Sequence, residues 1–261
     1  MVNIRQTIIS AQTPDEKWNL WESALKDTDK TLEETLIQEN ADYLKWSREE
    51  VLSCWGDKGT EKIKQKWKKE NPQTKEDIVN YYNTLDLYIP ELSSWHAMVK
   101  NIDHLKIVEF LQLCTKSNFN SYLDYGAGIG SSGLVFNYYG FSVALADISE
   151  AMLNYSKWRF QRHNVKASFI DLKKMSIGEN HYDCITAIEV LEHIPHPVDT
   201  MRKIYKALKS GGYVFVTTPF FEDEKRPQHL VHDMNTAKEF ERLGFTLIKK
   251  SGKGLYRLFK K

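Results

Sequence analysis

Two rhythms of apolar residues divide the chain. Up to about residue 118 they recur three and four apart with almost no alternation, which predicts helices. From 119 onward short apolar runs alternate with amphipathic stretches, which predicts a β/α succession around a parallel sheet. In the first part, Thr13-Pro14-Asp15-Glu16 supplies a cap, a proline in the first turn and early carboxylates, and Trp18, Trp21, Leu25 and Leu32 then follow at helical spacing. Further helices are predicted at 47–56, 60–69, 75–86 and 92–99; Ser47-Arg48-Glu49-Glu50 is a capping box, and Asn71-Pro72 ends the helix of the 60s. The helix at 103–115, with Leu105, Ile107, Val108, Phe110, Leu111 and Leu113, is apolar enough to lie against a sheet.

In the second part strands are predicted at 121–125, 142–147, 167–170, 183–188, 212–218, 245–250 and 255–260, and helices near 129–138, 149–162, 198–209 and 235–242. No helix separates the last two strands, and Gly252 and Gly254 supply a turn between them. The expected fold class is α/β: a doubly wound, seven-stranded, mostly parallel sheet with its last strand antiparallel, preceded by a helical extension. The expected domains are residues 1–118, a helical extension or lid, and 119–261, the sheet-containing core.

The chemistry gathers at the predicted strand ends, where open α/β sheets bind ligands. Asp124-Tyr125-Gly126-Ala127-Gly128-Ile129-Gly130 closes the first strand, and Asp147 closes the second, seventeen residues beyond the last glycine. Glycines there let backbone approach a ligand, the following helix offers free amides, and a carboxylate at the second strand end can accept from a ribose diol. This layout fits both NAD and S-adenosylmethionine. A hydride-transfer constellation, which a nicotinamide enzyme would need, is not evident downstream.

Composition narrows the partners. Residues 1–118 carry sixteen Lys/Arg against twenty Asp/Glu, and the remainder twenty against fifteen, so neither part has the basic excess of a nucleic-acid binder. The run Lys62 to Lys69 is interleaved with Glu61 and Glu70 and reads as a solvated helix face. No stretch of eighteen apolar residues predicts a membrane span, and Met1-Val2-Asn3-Ile4-Arg5 is unlike a secretory leader, so a cytoplasmic protein is expected. Cys54, Cys114 and Cys184 are too dispersed for a disulfide framework or thiolate cluster. Trp46, Trp55, Trp67, Tyr81, Tyr82, Tyr88 and Trp95 serve first as the core of the helical region, and second as a pocket lining; Trp95-His96 is the pair to follow, because it precedes the helix that leads into the expected cofactor strand.

From 119 to about 250 the chain resembles the class I S-adenosylmethionine-dependent methyltransferases, which have a Rossmann-like core. Five blocks carry the resemblance: 123–130, 145–153, 167–172, 182–194 and 208–219. By that resemblance Asp124, Gly126, Ala127, Gly128 and Gly130 would wrap the methionine part of the cofactor. Asp147 would hold the ribose hydroxyls, Ile148 and Met152 would flank adenine, and Asp171 and Leu172 would lie near its amino group; Glu189 would close the cofactor crevice. S-adenosyl-L-methionine is then the expected cofactor.

The implied reaction is in-line methyl transfer to a small-molecule acceptor, in which the protein aligns the partners, excludes water and removes a proton where needed. His193 is the candidate base, with Glu192, His229 and His232 beside it, so O-methylation is expected first and N-methylation of a small amine second. Behind these two stand methylation of RNA or protein, and a module that binds the cofactor without turnover. Glu189, Glu192 and His193 at i, i+3 and i+4 also resemble the divalent-ion ligands of ubiquinone-biosynthesis O-methyltransferases and small-RNA 2′-O-methyltransferases, with His229 or His232 completing the set. A metal is nonetheless not the favoured reading. Lys225 and Arg226, in the segment running from Phe220 to Met234, would meet an anionic acceptor, although Glu222 to Glu224 nearly cancel them. The helical extension is expected to close over the acceptor, and the sequence leaves the oligomeric state open.

Overall fold

The computed structural model describes residues 4–84, 86–233 and 235–261; Met234, the end of the segment just named, lies outside them. Among the described residues eight helices precede the sheet: α1 (Ile4–Ser10), α2 (Pro14–Ser23), α3 (Leu32–Leu44), α4 (Arg48–Leu52), α5 (Asp57–Glu70), α6 (Lys75–Asn83), α7 (Tyr88–Ala97) and α8 (Ile102–Lys116). The core then runs β1 (Ser121–Tyr125), α9 (Ser131–Tyr138), β2 (Ser142–Asp147), α10 (Glu150–Arg162), β3 (Ser168–Asp171), β4 (Tyr182–Ala187), α11 (Pro197–Ala207), β5 (Leu208–Thr217), α12 (Thr236–Arg242), β6 (Thr246–Ser251) and β7 (Tyr256–Lys260).

The strand order is β3-β2-β1-β4-β5-β7-β6; β1 to β5 are parallel, and β7 runs antiparallel between β5 and β6. The expected mixed sheet is present. Its period of two sorts side chains between two apolar layers. Tyr122, Val143, Leu145, Cys184 and Phe215 face one cluster, whereas Leu123, Ala144, Ala146, Ile185, Val214 and Val216 face the other, beneath α11 and α12. The first cluster also takes Ile8, Trp18, Trp21, Leu25, Leu32 and Leu36, so helices on both sides of residue 118 share one core.

Capping explains where the early helices begin. Thr13 and Ser47 close capping boxes with Glu16 and Glu50, as their sequences predict. The spacing from Trp18 to Leu32, however, does not describe one helix. α2 stops at Ser23, and Thr31 starts α3 by accepting from the Glu34 amide. A second departure lies at β5, which begins at Leu208, four residues before the expected start; a register shift opposite Tyr182 and Cys184 absorbs the Gly211-Gly212 turn within the strand.

Candidate functional site

The glycine loop crosses the carboxyl end of β1 and is fixed from beneath. Gly126, Gly128 and Gly130 have φ of 72°, 52° and 76°, and a Cβ on Gly126 would sit 2.3 Å from Val190 Cγ2. Only glycine holds these left-handed turns cheaply at such close approach. Asp124 is buried under the loop, where it accepts from Thr186 Oγ1 at 2.9 Å; burial pushes its carboxyl up to about 6. Ala127 is buried against the first apolar cluster.

Asp147 closes β2 and accepts from the backbone amides of Gly128 at 2.9 Å and Ser149 at 2.8 Å. Burial raises this carboxyl, while those amides oppose the shift. It therefore ties the glycine loop to the start of α10 through both of its oxygens. Ile148 is half-buried beside it, and Met152 is buried with Ile89, Ile129 and Tyr155. Asp171 closes β3; burial would raise its carboxyl, but the Lys173 amide and Lys174 ammonium hold it below its usual value. Leu172, half-buried next to it, packs on the second cluster. These positions line successive strand ends along one crevice, as the strand order requires.

The end of β4 departs from the expected helical face. Glu189 has φ 52°, a left-handed residue, and Leu191–His193 form a single 3-10 turn, so Glu189, Glu192 and His193 do not lie on one helical face, although the Glu189 and Glu192 carboxyls remain neighbours. The ligand-capable atoms that meet are those of Glu192, His193 and His229, all within 4.8 Å of one another. Glu189 instead faces Arg226 at 3.9 Å, and its amide donates to Thr217 Oγ1 at 2.6 Å. His232 also lies apart, its ring against Phe220 at 4.8 Å between centroids.

Electrostatically this cluster is dominated by desolvation. Glu192 is fully buried, and among the described residues its oxygens find no N–H or hydroxyl donor on another residue, only the Glu189 carboxyl beside them; burial, then that neighbouring Glu189, push its carboxyl well up. Glu189 is raised by burial and by Asp103. His193 is driven down to about 3 by burial and then by His229, while His229 is lowered to about 4 by burial and Arg226. The imidazoles thus stay neutral across the physiological range, and the carboxylate and imidazole proton affinities approach or cross one another.

The helical region closes this crevice from above. Tyr82 Oη meets His193 Nδ1 at 2.7 Å, and the Tyr82 carbonyl accepts from Ser149 Oγ at 2.9 Å, so one residue touches both the candidate base and the cap of α10. Gln228 donates to Tyr88 Oη at 3.3 Å, and Leu92 Cδ1 lies 3.2 Å from where a Gly128 Cβ would project. The aromatics of this region serve both expected purposes: Tyr81 and Trp67 pack a local core around Ile63, and Tyr82 and Tyr88 face the site. Lys62 to Lys69 lie on α5, whose buried positions are Gly59 and Ile63, as a solvated charged face requires.

Several residues at the site are not singled out by sequence pattern. Arg159 is fully buried; it pairs with Glu39 of α3 at 2.7 Å and donates to the Ile129 carbonyl at 2.8 Å and to Ser131 Oγ at 3.0 Å. Ser131 also meets His96 Nδ1 at 2.7 Å, which gives the Trp95-His96 pair a definite place. The available signal is phase: Arg159 lies on the stripe of Met152, Tyr155 and Ser156, and Glu39 and Asn40 follow Leu32, Leu36 and Ile37, so charges occupy buried helix positions.

A methyltransferase-domain family model matches residues 95–251, more than half of the chain. A ubiquinone biosynthesis O-methyltransferase of Marinobacter nauticus is 34% identical over 101 residues, 36% of this chain and 40% of that protein. A protein of the same description from Hydrogenovibrio crunogenus is 26% identical over 145 residues, 54% of this chain and 59% of its own. A ubiquinone/menaquinone biosynthesis C-methyltransferase of Pseudomonas fluorescens is 35% identical over 78 residues, 28% of this chain and 30% of its own. The chain therefore spans less than two thirds of the length of these curated relatives. A solved Pyrococcus horikoshii structure shares the fold, with a TM-score of 0.50 at 19% identity over 61% of this chain and 90% of that one. With its glycine loop, strand order and the reach of the family match taken together, the chain belongs to the class I S-adenosylmethionine-dependent methyltransferases.

Proposed function

We propose that the protein transfers the methyl group of S-adenosylmethionine to a hydroxyl of a small-molecule acceptor. The observation that carries the reading is the juxtaposition of Glu192, His193 and His229 at the end of β4, roofed by Tyr82 and next to the glycine loop. Asp147 would hold the ribose, and the loop amides and the start of α9 the methionine part. Tyr88, bonded to Gln228, and Leu92, packed over Gly128, would keep water from the line of transfer.

Proton removal falls to this cluster. Tyr82 meets Nδ1 and the Gln228 carbonyl also engages the ring, so the His193 imidazole is fixed in orientation beside the position an acceptor hydroxyl would take. Burial leaves His193 a weak base and raises the Glu192 carboxyl, so Glu192 in its ionised form is the stronger base of the two and would take the acceptor's proton directly, with His193 orienting the acceptor beside it. The unpartnered Glu192 oxygens and the two imidazoles also form a chemically suitable donor set for a divalent ion. An ion held by Glu192, His193 and His229 would supply a Lewis acid for the acceptor oxygen.

The relatives named for O-methyl transfer support this choice of acceptor atom, and the raised carboxyls support N-methylation of an amine as the second reading, because either, once ionised, would take the proton an ammonium must lose before it attacks. Among the described residues no helix is long and apolar enough to cross a membrane. Calorimetric titration of metal-stripped protein with S-adenosylmethionine, S-adenosylhomocysteine and NAD tests the cofactor. Incubation with phenolic and amine acceptors, read by mass spectrometry, tests the chemistry. Binding of NAD alone would overturn the cofactor assignment, and methylated amines with untouched phenols would overturn the choice of oxygen.

A further inference from the structure

The glycine loop is held from behind by a buried polar network that begins 90 residues upstream of it. Ser156 Oγ donates to the Gly128 carbonyl at 2.8 Å, and one turn later Arg159 Nη1 donates to the Ile129 carbonyl and to Ser131 Oγ. These two oxygens flank Gly130, whose α-carbon already faces Leu145, Ser156 and Phe160 so closely that a Cβ would lie 2.9 to 3.1 Å from them. Both sides of the loop's last turn are therefore set by one guanidinium nitrogen.

That guanidinium is itself aimed. Arg159 Nε bonds Glu39 Oε2 at 2.7 Å, while Glu39 Oε1 takes His163 Nε2 at 2.6 Å, and both members of the ion pair have fully buried side chains. On the far side Ser131 is shared with His96 Nδ1, and the His96 carbonyl accepts from Trp21 Nε1 at 3.2 Å. Next to Glu39, Asn40 Oδ1 accepts from Tyr155 at 2.6 Å and Ser93 at 3.1 Å, which fixes α3 against α7 and α10. A planar fork with fixed donors can hold three partners at once, which an ammonium cannot do with the same geometry.

We propose that Glu39 and Arg159 are positioning residues for the cofactor: the ion pair fixes the carbonyl of Ile129 and the hydroxyl of Ser131, and thereby the loop amides and the first turn of α9 that meet the ligand. The helices before the sheet then act as part of the cofactor site's frame, in addition to roofing the acceptor. This rests on the reading of the glycine loop as the S-adenosylmethionine site. An ion pair that only joined α3 to α10 would affect stability and leave affinity alone; one that sets the loop affects affinity in protein that is still folded.

Two variants separate these outcomes. Arg159→Lys keeps the charge opposite Glu39 but loses the fork, and Ser131→Ala leaves the ion pair intact and removes the oxygen it controls. Each is checked for folding by circular dichroism and thermal melting, then titrated calorimetrically with S-adenosylhomocysteine well below its melting temperature. The expected result is a tenfold or greater loss of affinity for Arg159→Lys and a severalfold loss for Ser131→Ala, with folded spectra retained. Wild-type affinity in both variants overturns the proposal and leaves the cofactor reading standing; no binding by the wild-type protein overturns both.

Discussion

Replacing His104 with Leu is expected to stabilise the protein, and more so in acid. His104 is completely buried on α8, its ring stacked on Trp21 at 4.4 Å and tilted against Trp95 at 4.9 Å, and neither ring nitrogen has a hydrogen-bond partner. At the low end of about 1–3 kcal/mol per unsatisfied buried polar group the two nitrogens cost about 2 kcal/mol, and loss of the ring stack offsets about 1 kcal/mol of the gain, so a leucine of similar volume should gain roughly 1 kcal/mol at pH 7.5. Burial also lowers this imidazole to about 3. A histidine whose folded value is depressed contributes stability above its unfolded value, near 6.5, and loses it as the pH falls toward the folded value. At pH 5, about 1.5 units below the unfolded value, that loss is about 2 kcal/mol, and the leucine variant does not suffer it. His193 and His229, also lowered by burial, remain in both proteins and cancel in the difference, whereas His96 is lowered by burial first and by His104 second, so its own acid penalty eases in the variant and adds in the same direction. Urea unfolding at pH 7.5 and 5.0 should therefore show a gap in favour of the variant that widens from about 1 to about 3 kcal/mol. A gap that stays constant with pH would refute the buried, neutral state assigned to His104.

Four further outcomes are expected. Asp147→Asn removes the charge that accepts from Gly128 and Ser149 and should weaken S-adenosylhomocysteine binding by about tenfold or more, about 1.4 kcal/mol, in calorimetry; unchanged affinity would remove Asp147 from the site. His193→Ala should lower kcat and leave cofactor affinity near the wild-type value, and unchanged turnover on a true acceptor would make His193 structural. Glu192 has a raised carboxyl, so the stability it contributes is present below the unfolded value and lost as the pH rises through the folded one; Glu192→Gln should melt higher than wild type, with the difference larger at pH 8 than at pH 5. Equal melting curves in chelator would contradict that, and a wild-type gain confined to added Mg²⁺ or Mn²⁺ would identify an ion at the cluster. Gly126→Ala adds a Cβ against Val190 at a positive φ and should cost about 2–4 kcal/mol together with cofactor binding; a folded, fully binding variant would show that the loop relaxes.

The fold was legible where local chemistry and tertiary packing agree. Strand β1 through α10 followed from alternation, glycines and a single carboxylate at each strand end, because those residues answer to the same backbone geometry in every context. The site was less legible. Glu189, Glu192 and His193 have helical spacing in the sequence, yet a left-handed Glu189 changes which of them converge, and backbone handedness at a non-glycine residue leaves no compositional trace. Tyr82 is adjacent to Tyr81, and only the packing decides that one seals a local core while the other reaches His193. The Glu39–Arg159 pair joins positions 120 apart, and periodicity can mark each as an odd charge on a buried stripe without naming its partner.

The two margins of the sheet differ in design but share an effect. One is β3, four residues long; the other is β6, where Lys249 and Lys250 follow a register irregularity between Leu247 and Lys249. Short length at one margin, and positive charge with a bulge at the other, both discourage a neighbouring chain from continuing the hydrogen-bond ladder. Strand-by-strand polymerisation is therefore disfavoured at both ends of the sheet by two different means, brevity at one and charge at the other.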